Sequence, residues 1–357
     1  MEAPLRSIKF IGNPVPMAIA FALLSTAPFS DAQEALTADS HSPTSQAYAL
    51  TDTSNLVEQG VKAEAVEYRG RKAVRLTALG EQGLAFLKGV EFRDGTIELD
   101  IATKITTPPG TRMPGFTGVA FRALPDAVHP DASHYELFYL RPGNSRSEDQ
   151  AMRNHSLQYT AEPGFGWEKL RRQWPFIYES YAELQPDEWT PVKIEVHGRK
   201  ARLFVNGSAN PSLVVDGLKG EDLQGGVALW GYAGEESYFS NLRISSAKPE
   251  PIENGGEAAG TWDVTFASDA GRFSGTLKLA RQNGSVIGTW SGAFGMEQQV
   301  AGTWRDGYVE LKFNGTWPDP PAPVVATMAG WIDGDFAQGR MKVEGEADGR
   351  WIAVRKK

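Results

Sequence analysis

Along most of the chain, apolar and polar residues alternate one by one over short runs, as half-buried strands require. In "TIELDIAT" (96–103), Ile97, Leu99 and Ile101 point one way, and Glu98 and Asp100 the other. "GVAFRA" (118–123) and "HYELFYLRP" (134–142) continue the pattern. "WTPVKIEVHGRKARLFVNG" (189–207) reads as two strands joined at a tight His-Gly-Arg turn, and "GGVALWGY" and "YFSNLRIS" close the set. Helical periodicity is scarce; "GWEKLRRQWPF" (166–176) is the best candidate, as a short helix or a long loop. Many short strands with frequent Gly punctuation predict a sandwich or jelly roll. "RNHSLQY" (153–159) has the length of a strand but no apolar face. Asn154, Ser156 and Gln158 fall on one side, and Arg153, His155, Leu157 and Tyr159 on the other. The expectation is that one side faces a ligand groove and the other meets a layer of paired, buried polar groups.

After residue 245 the texture changes. "SAKPEPIENGGEAAG" is rich in Pro, Gly and Glu, as interdomain linkers are. Beyond it, eight strand-like segments follow one another with hairpin turns such as Asn283-Gly284 and Asp333-Gly334. Eight strands in an up-and-down meander suffice to close a small barrel and so remove exposed edges. "GTW" recurs at Gly260, Gly288, Gly302 and Gly315. Its tryptophans are expected to pack the barrel; lining a ligand is the alternative. This texture resembles calycin-like barrels of the avidin and lipocalin type.

At the N-terminus, Arg6 and Lys9 precede the apolar run "VPMAIAFALLSTAPF", too short to span a bilayer comfortably. Ser30 and Ala32 fit the small-residue cleavage rule. The expected organisation is a signal peptide over 1–32, a linker over 33–53, a jelly roll over 54–245, a linker over 246–259 and a barrel over 260–357. Localisation is then periplasmic or extracellular, a membrane anchor being the alternative reading of 1–32. The net charge of −8 argues against nucleic acid and against acidic membranes as partners. Without cysteine, a disulfide framework and a Cys-ligated zinc site are excluded.

No Gly-x-Ser-x-Gly elbow, phosphate loop or His-Glu-x-x-His helix is present. "DAVHPDASH" gathers Asp126, His129, Asp131 and His134, but the spacing suits a solvated loop better than a metal site. "ELDIAT" overlaps the Glu-x-Asp-x-x-Glu motif of laminarinase-like glycosidases, with Thr103 at the last carboxylate position. Retaining hydrolysis needs a carboxyl pair, so that mechanism is rejected and Glu98 and Asp100 read as polar sheet positions.

Between residues 122 and 181 the side chains a sugar requires accumulate. They are Arg122, Tyr135, Glu136, Tyr139, Arg141, Asn144, Arg153, Asn154, His155, Gln158, Tyr159, Trp167, Arg171, Trp174, Tyr178, Glu179 and Tyr181. Sugar hydroxyls pair with amides, carboxylates and guanidinium groups, and C–H faces with aromatic rings. The alternative is a solvated face with structural Arg–Glu pairs.

The segments "GTIELDIA…GFTGVAFRA…HYELFYLRPGN…RNHSLQY…GGVALWGY…YFSNLRIS" resemble concanavalin A-like (laminin-G-like) jelly rolls of secreted bacterial proteins. Within these the chain is similar to the 3-keto-disaccharide hydrolase domain family. That family tends to show Asn-Ser-Gly before an "fR" strand and "YE-x-Q" after it; here the positions read Phe116-Thr117-Gly118 and Tyr135-Glu136-Leu137-Phe138, so Arg122 and Glu136 carry over. The fold expected is all-β: a concanavalin A-like jelly-roll β-sandwich followed by a small up-and-down eight-stranded β-barrel. The function expected is carbohydrate interaction on a concave face, with cleavage of a glycosidic bond, that of a 3-keto sugar included, if the protein is an enzyme. Glu136 and His155 are then the acid/base candidates. Arg122, Tyr139, Arg141, Arg153, Asn154, Gln158, Tyr159, Trp167, Arg171, Tyr178 and Glu179 are the substrate-binding candidates. A non-catalytic glycan-binding module and a protein-interaction module with an apolar ligand in the barrel are the alternatives. No cofactor or metal is expected; calcium occurs in such jelly rolls, but no Asp-rich loop marks a site here.

Overall fold

The structure is a computed structural model describing residues 45–108, 113–126, 132–221, 223–249, 256–282, 285–305 and 307–357. The expected signal peptide, His129, Asp131 and the Asn283-Gly284 turn lie outside the described residues.

Two antiparallel sheets face each other in a jelly-roll-like sandwich. The eight-stranded sheet runs Leu213–Val215, Lys200–Val205, Thr190–His197, Gly95–Ile105, Glu235–Ser246, Arg71–Ala78, Val61–Tyr68, with Ser45–Tyr48 also paired to Glu235–Ser246. The seven-stranded sheet runs Glu179–Ser180, Leu157–Glu162, His134–Leu140, Thr117–Leu124, Gly226–Tyr232, Gln82–Leu87, Leu56–Gln59. The strand Ser45–Tyr48 corrects the linker expected over 33–53: Tyr48 is buried in the sandwich core.

Alternation sorts the side chains as a pleat requires. Ile97, Leu99, Val119, Phe121, Phe138, Leu140, Leu157 and Tyr159 meet between the sheets. Glu98 and Asp100 lie on the outer face of the eight-stranded sheet, where Asp100 accepts from Arg71 at 2.6 Å and from Asn241 at 2.7 Å.

"RNHSLQY" is not one strand. Gln150–Arg153 is a helical turn capped by Asp149, whose Oδ1 accepts from the Ala151 amide at 2.9 Å. The chain then turns, and the strand begins at Leu157. The polarity of residues 153–156 therefore belongs to a helix end and a turn. Trp167–Gln173 is a short helix. Among the described residues no helix is long and apolar enough to cross a membrane.

Gly260–Ser268, Gly271–Gln282, Ser285–Gly292, Gly295–Arg305, Tyr308–Pro318, Pro321–Asp333, Phe336–Val343 and Ala347–Arg355 form a closed barrel, the last strand pairing with the first. Trp262, Trp290 and Trp317 of the "GTW" repeats are buried in its core, and Trp304 packs against it. The rings of Trp290 and Phe313 stack at 5.2 Å, and those of Phe294 and Trp317 at 5.8 Å. The lumen is thus packed with side chains, as expected of the tryptophans.

Candidate functional site

The outer face of the seven-stranded sheet carries a trough. Across it, Gln158, Tyr139, Gly118, Trp230 and Leu84 stand in one cross-strand row, and Thr160, Leu137, Ala120, Ala228 and Phe86 in the next. The central strands contribute Gly118, Ala120 and Ala228, so the floor is low in the middle. A Cβ on Gly118 would sit 2.3 Å from the Phe138 carbonyl oxygen and 2.6 Å from Tyr139 Cβ. Without one, the rings of Tyr139 and Trp230 close to 5.2 Å over the middle strand. Phe116 and Tyr232, 4.8 Å apart, extend this aromatic floor.

The resulting cleft has a volume of about 430 Å³ and is walled by Glu81, Gln82, Glu162, Trp167, Lys169 and Arg172, among others. Its polar groups are held in place. Trp230 Nε1 donates to Gln82 Oε1 at 3.1 Å, and the Tyr232 hydroxyl to Glu81 at 2.6 Å. Burial pushes the Glu162 carboxyl up to about 7, against the opposing pull of the Gly164 amide, Arg350 and Lys169. Lys169 donates to the Gly164 carbonyl at 2.9 Å, and burial holds its amine below the ordinary range. A larger groove of about 660 Å³ runs along the outer wall of the barrel beside Asp126, but among the described residues no aromatic ring lines it.

Six of the sequence-predicted residues gather beside the cleft, and of these Tyr139 and Trp167 line it, the others packing behind them. Arg141 donates to the Tyr139 hydroxyl at 2.6 Å, and its guanidinium lies over the Tyr139, Phe116 and Trp167 rings. Arg171 covers Trp167 at 4.7 Å and binds Glu179 through two nitrogens. His155 Nδ1 lies 2.8 Å from Glu179 Oε2. Burial holds the His155 imidazole below its ordinary value, Arg171 and Arg141 adding to the effect and Glu179 opposing it. Gln158 is buried beneath this group, its amide donating to the Tyr178 carbonyl at 2.9 Å.

A second set lies elsewhere. Glu136 shares its face with Phe138 and Leu140, between the sheets. A bulge at Arg122, where φ is +48°, turns the guanidinium inward too. There Arg122 meets Asp94 at 2.9 Å, the Gly198 carbonyl at 2.6 Å and Glu136 at 3.4 Å. The Tyr159 hydroxyl donates to Glu136 and accepts from the Lys219 amide at 2.6 Å. Arg122 and Glu136 are each 1% exposed, and burial raises the Glu136 carboxyl. This corrects the roles expected of Arg122, Glu136 and Tyr159: they form a buried ion cluster that no ligand on the outer face touches. Glu136 and His155 do not converge. Glu136 lies between the sheets, opposite Ala161 on the neighbouring strand, whereas His155 sits in the turn before that strand begins at Leu157, beside Glu179.

Tyr178 is in the sandwich core, donating to the Gly217 carbonyl at 3.0 Å. Arg153 donates to the Ser147 and Glu148 carbonyls, and Asn154 is an exposed helix cap. None of the three lines the cleft. Sequence reasoning missed Glu162, Gln82, Trp230, Tyr232 and Phe116. The signal for Glu162 was present: Gln158, Thr160 and Glu162 are successive same-face positions. Also missed was Glu235, buried between the sheets next to the Phe116 amide, its carboxyl pushed up to about 9 by burial. Among the described residues no group of three or more His, Asp or Glu is placed to hold a metal ion.

No protein-family model matches the chain, and no curated protein matches it in sequence. Solved structures similar to part of it include a Bacillus subtilis protein of unknown function with a galectin-like fold, at 12% identity, 57% of this chain, 96% of that one and TM-score 0.40. Another is the carbohydrate-binding module CBM66 from Bacillus subtilis, at 14% identity, 53% and 97% coverage and TM-score 0.34. A third is a basic winged bean lectin with Tn-antigen, at 8% identity, 58% and 100% coverage and TM-score 0.37.

Proposed function

We propose that the chain binds a saccharide in the cleft on the outer face of the seven-stranded sheet. The observation that carries this reading is the trough of small residues floored by Tyr139, Trp230, Tyr232 and Phe116 and rimmed by fixed polar groups. Aromatic faces accept the C–H faces of a sugar ring, while Gln82, Glu162, Lys169 and Arg172 offer donors and acceptors to its hydroxyls. The volume falls within the range of small-ligand clefts. Calorimetric titration against a panel of mono- and disaccharides and their 3-keto derivatives tests it. Binding should weaken about tenfold or more in Trp230→Ala, a loss of about 1.4 kcal/mol. Silence across the panel, or full affinity in the variant, would sink the reading.

A second reading, cleavage of the bound glycoside, is favoured by one group. A carboxyl that titrates near neutrality inside a cleft can both give and take a proton at working pH. In this reading Glu162 takes the role expected of Glu136, and with a 3-keto sugar a single base suffices to start an elimination. Product formation that disappears in Glu162→Gln while binding persists would establish it. Binding without product leaves the module reading. Export belongs to the same proposal, and N-terminal sequencing of secreted material should begin at Gln33.

A further inference from the structure

We infer that Arg350, on the last strand of the barrel, is a positioning residue for the cleft: it holds the 162–166 turn against the barrel and sets the charge around Glu162. The inference rests on the saccharide reading only for its consequence, not for its geometry.

Arg350 Nη1 donates to the Pro163 carbonyl at 2.8 Å, Nη2 pairs with Glu221, and the guanidinium lies 4.7 Å over the Phe165 ring. One side chain of the barrel therefore grips three points of the sandwich around a single turn. Gly164 makes room for it. A Cβ there would lie 2.7 Å from Arg350 Cδ, and φ of +104° is a backbone conformation that favours glycine. Glu162 and Gly164, which flank the gripped carbonyl, both line the cleft. The barrel thus fixes one wall of a site that otherwise belongs to the sandwich.

The electrostatic part follows from what faces Glu162. Tyr135 stands opposite on the neighbouring strand, and Tyr139 senses its charge. Lys169 approaches from the helix and Arg350 from the barrel. Glu168 and Arg172 stand on the cleft wall. Removing Arg350 takes away one of the two cations that favour the ionised carboxyl.

The test is carboxyl NMR on full chain labelled at glutamate side chains, with Glu162→Gln assigning the signal. In Arg350→Met the titration of Glu162 should move up by on the order of one pH unit. Arg350→Lys should stay near the parent value. Arg340→Met is the control: Arg340 sits on the adjacent strand and pairs with Asp348 at 2.9 Å. Where Arg350→Met gives no folded spectrum, Arg350→Gln carries the same expected rise. An unmoved Glu162 in a folded Arg350 variant overturns the inference, as does an equal shift in Arg340→Met. Saccharide titrations on the same samples separate the two ideas. A parent protein that binds no sugar overturns the proposed function, and the moved Glu162 signal still supports the coupling.

Discussion

Arg122 balances two buried carboxylates, Asp94 and Glu136, so its removal leaves charge uncompensated in a low-dielectric interior. Arg122→Met should cost about 3–5 kcal/mol in urea unfolding. Glu136→Gln should leave saccharide affinity unchanged, because the carboxyl faces away from the cleft. Glu162 carries a prediction that depends on pH. Its carboxyl titrates near 7 when folded and near 4.5 otherwise, so the folded state holds the extra proton between those values. Its contribution to stability is full below pH 4.5 and is lost as pH rises to about 7, by roughly 3 kcal/mol at most. Glu162→Gln should flatten the urea midpoint across that window and be relatively more stable than the parent at pH 8. Density of Arg, His and aromatic residues made the Arg141–Trp167–Arg171–Glu179–His155 group legible in the sequence. Arg122 and Glu136 were legible as a pair but misplaced. A period-two reading puts Phe121 and Arg122 on opposite faces, and only the bulge, which no residue type announces, brings both inside.

At the level of strands, what was readable was alternation and turn chemistry. The hairpin at His197-Gly198-Arg199 and the barrel meander follow directly from it, because each strand shows one apolar face and each turn a Gly or polar pair. "RNHSLQY" was misread because a polar run cannot distinguish a strand from a capped turn, and here Asp149 starts a helical turn just upstream. The trough was missed for a related reason. Gly118, Ala120 and Ala228 signal a site only once they are known to be neighbours on one face. Gly118→Ala should therefore disturb the middle strand, destabilising the protein by about 1–3 kcal/mol and weakening saccharide binding together, as read by denaturation and calorimetry on one sample. In the barrel, Trp290 is fully buried among Phe294 and Phe313. Trp290→Ala should cost about 3–5 kcal/mol in chemical unfolding.

For the molecule as a whole, the segment 216–221, with Arg199 of the neighbouring hairpin turn bound to its Leu218 carbonyl at 3.2 Å, joins what the sequence treats as separate domains. The Trp331 indole donates to the Gly220 carbonyl at 2.7 Å, Arg199 pairs with Asp333 at 2.9 Å and lies over Trp331, and Glu221 holds Arg350. On its other side Gly220 packs on Glu136, where a Cβ would come within 2.9 Å of the carboxyl, and the Lys219 amide serves Tyr159. One short loop thus ties the barrel wall to the buried ion cluster of the sandwich. That makes the pair difficult to trade apart. A gene fusion placing another barrel behind this sandwich would strand Gly220, Arg199 and Glu221 without their partners unless the newcomer carried counterparts of Trp331, Asp333 and Arg350. Descendants of this chain should accordingly inherit the two halves, and those six positions, as a single unit of recombination.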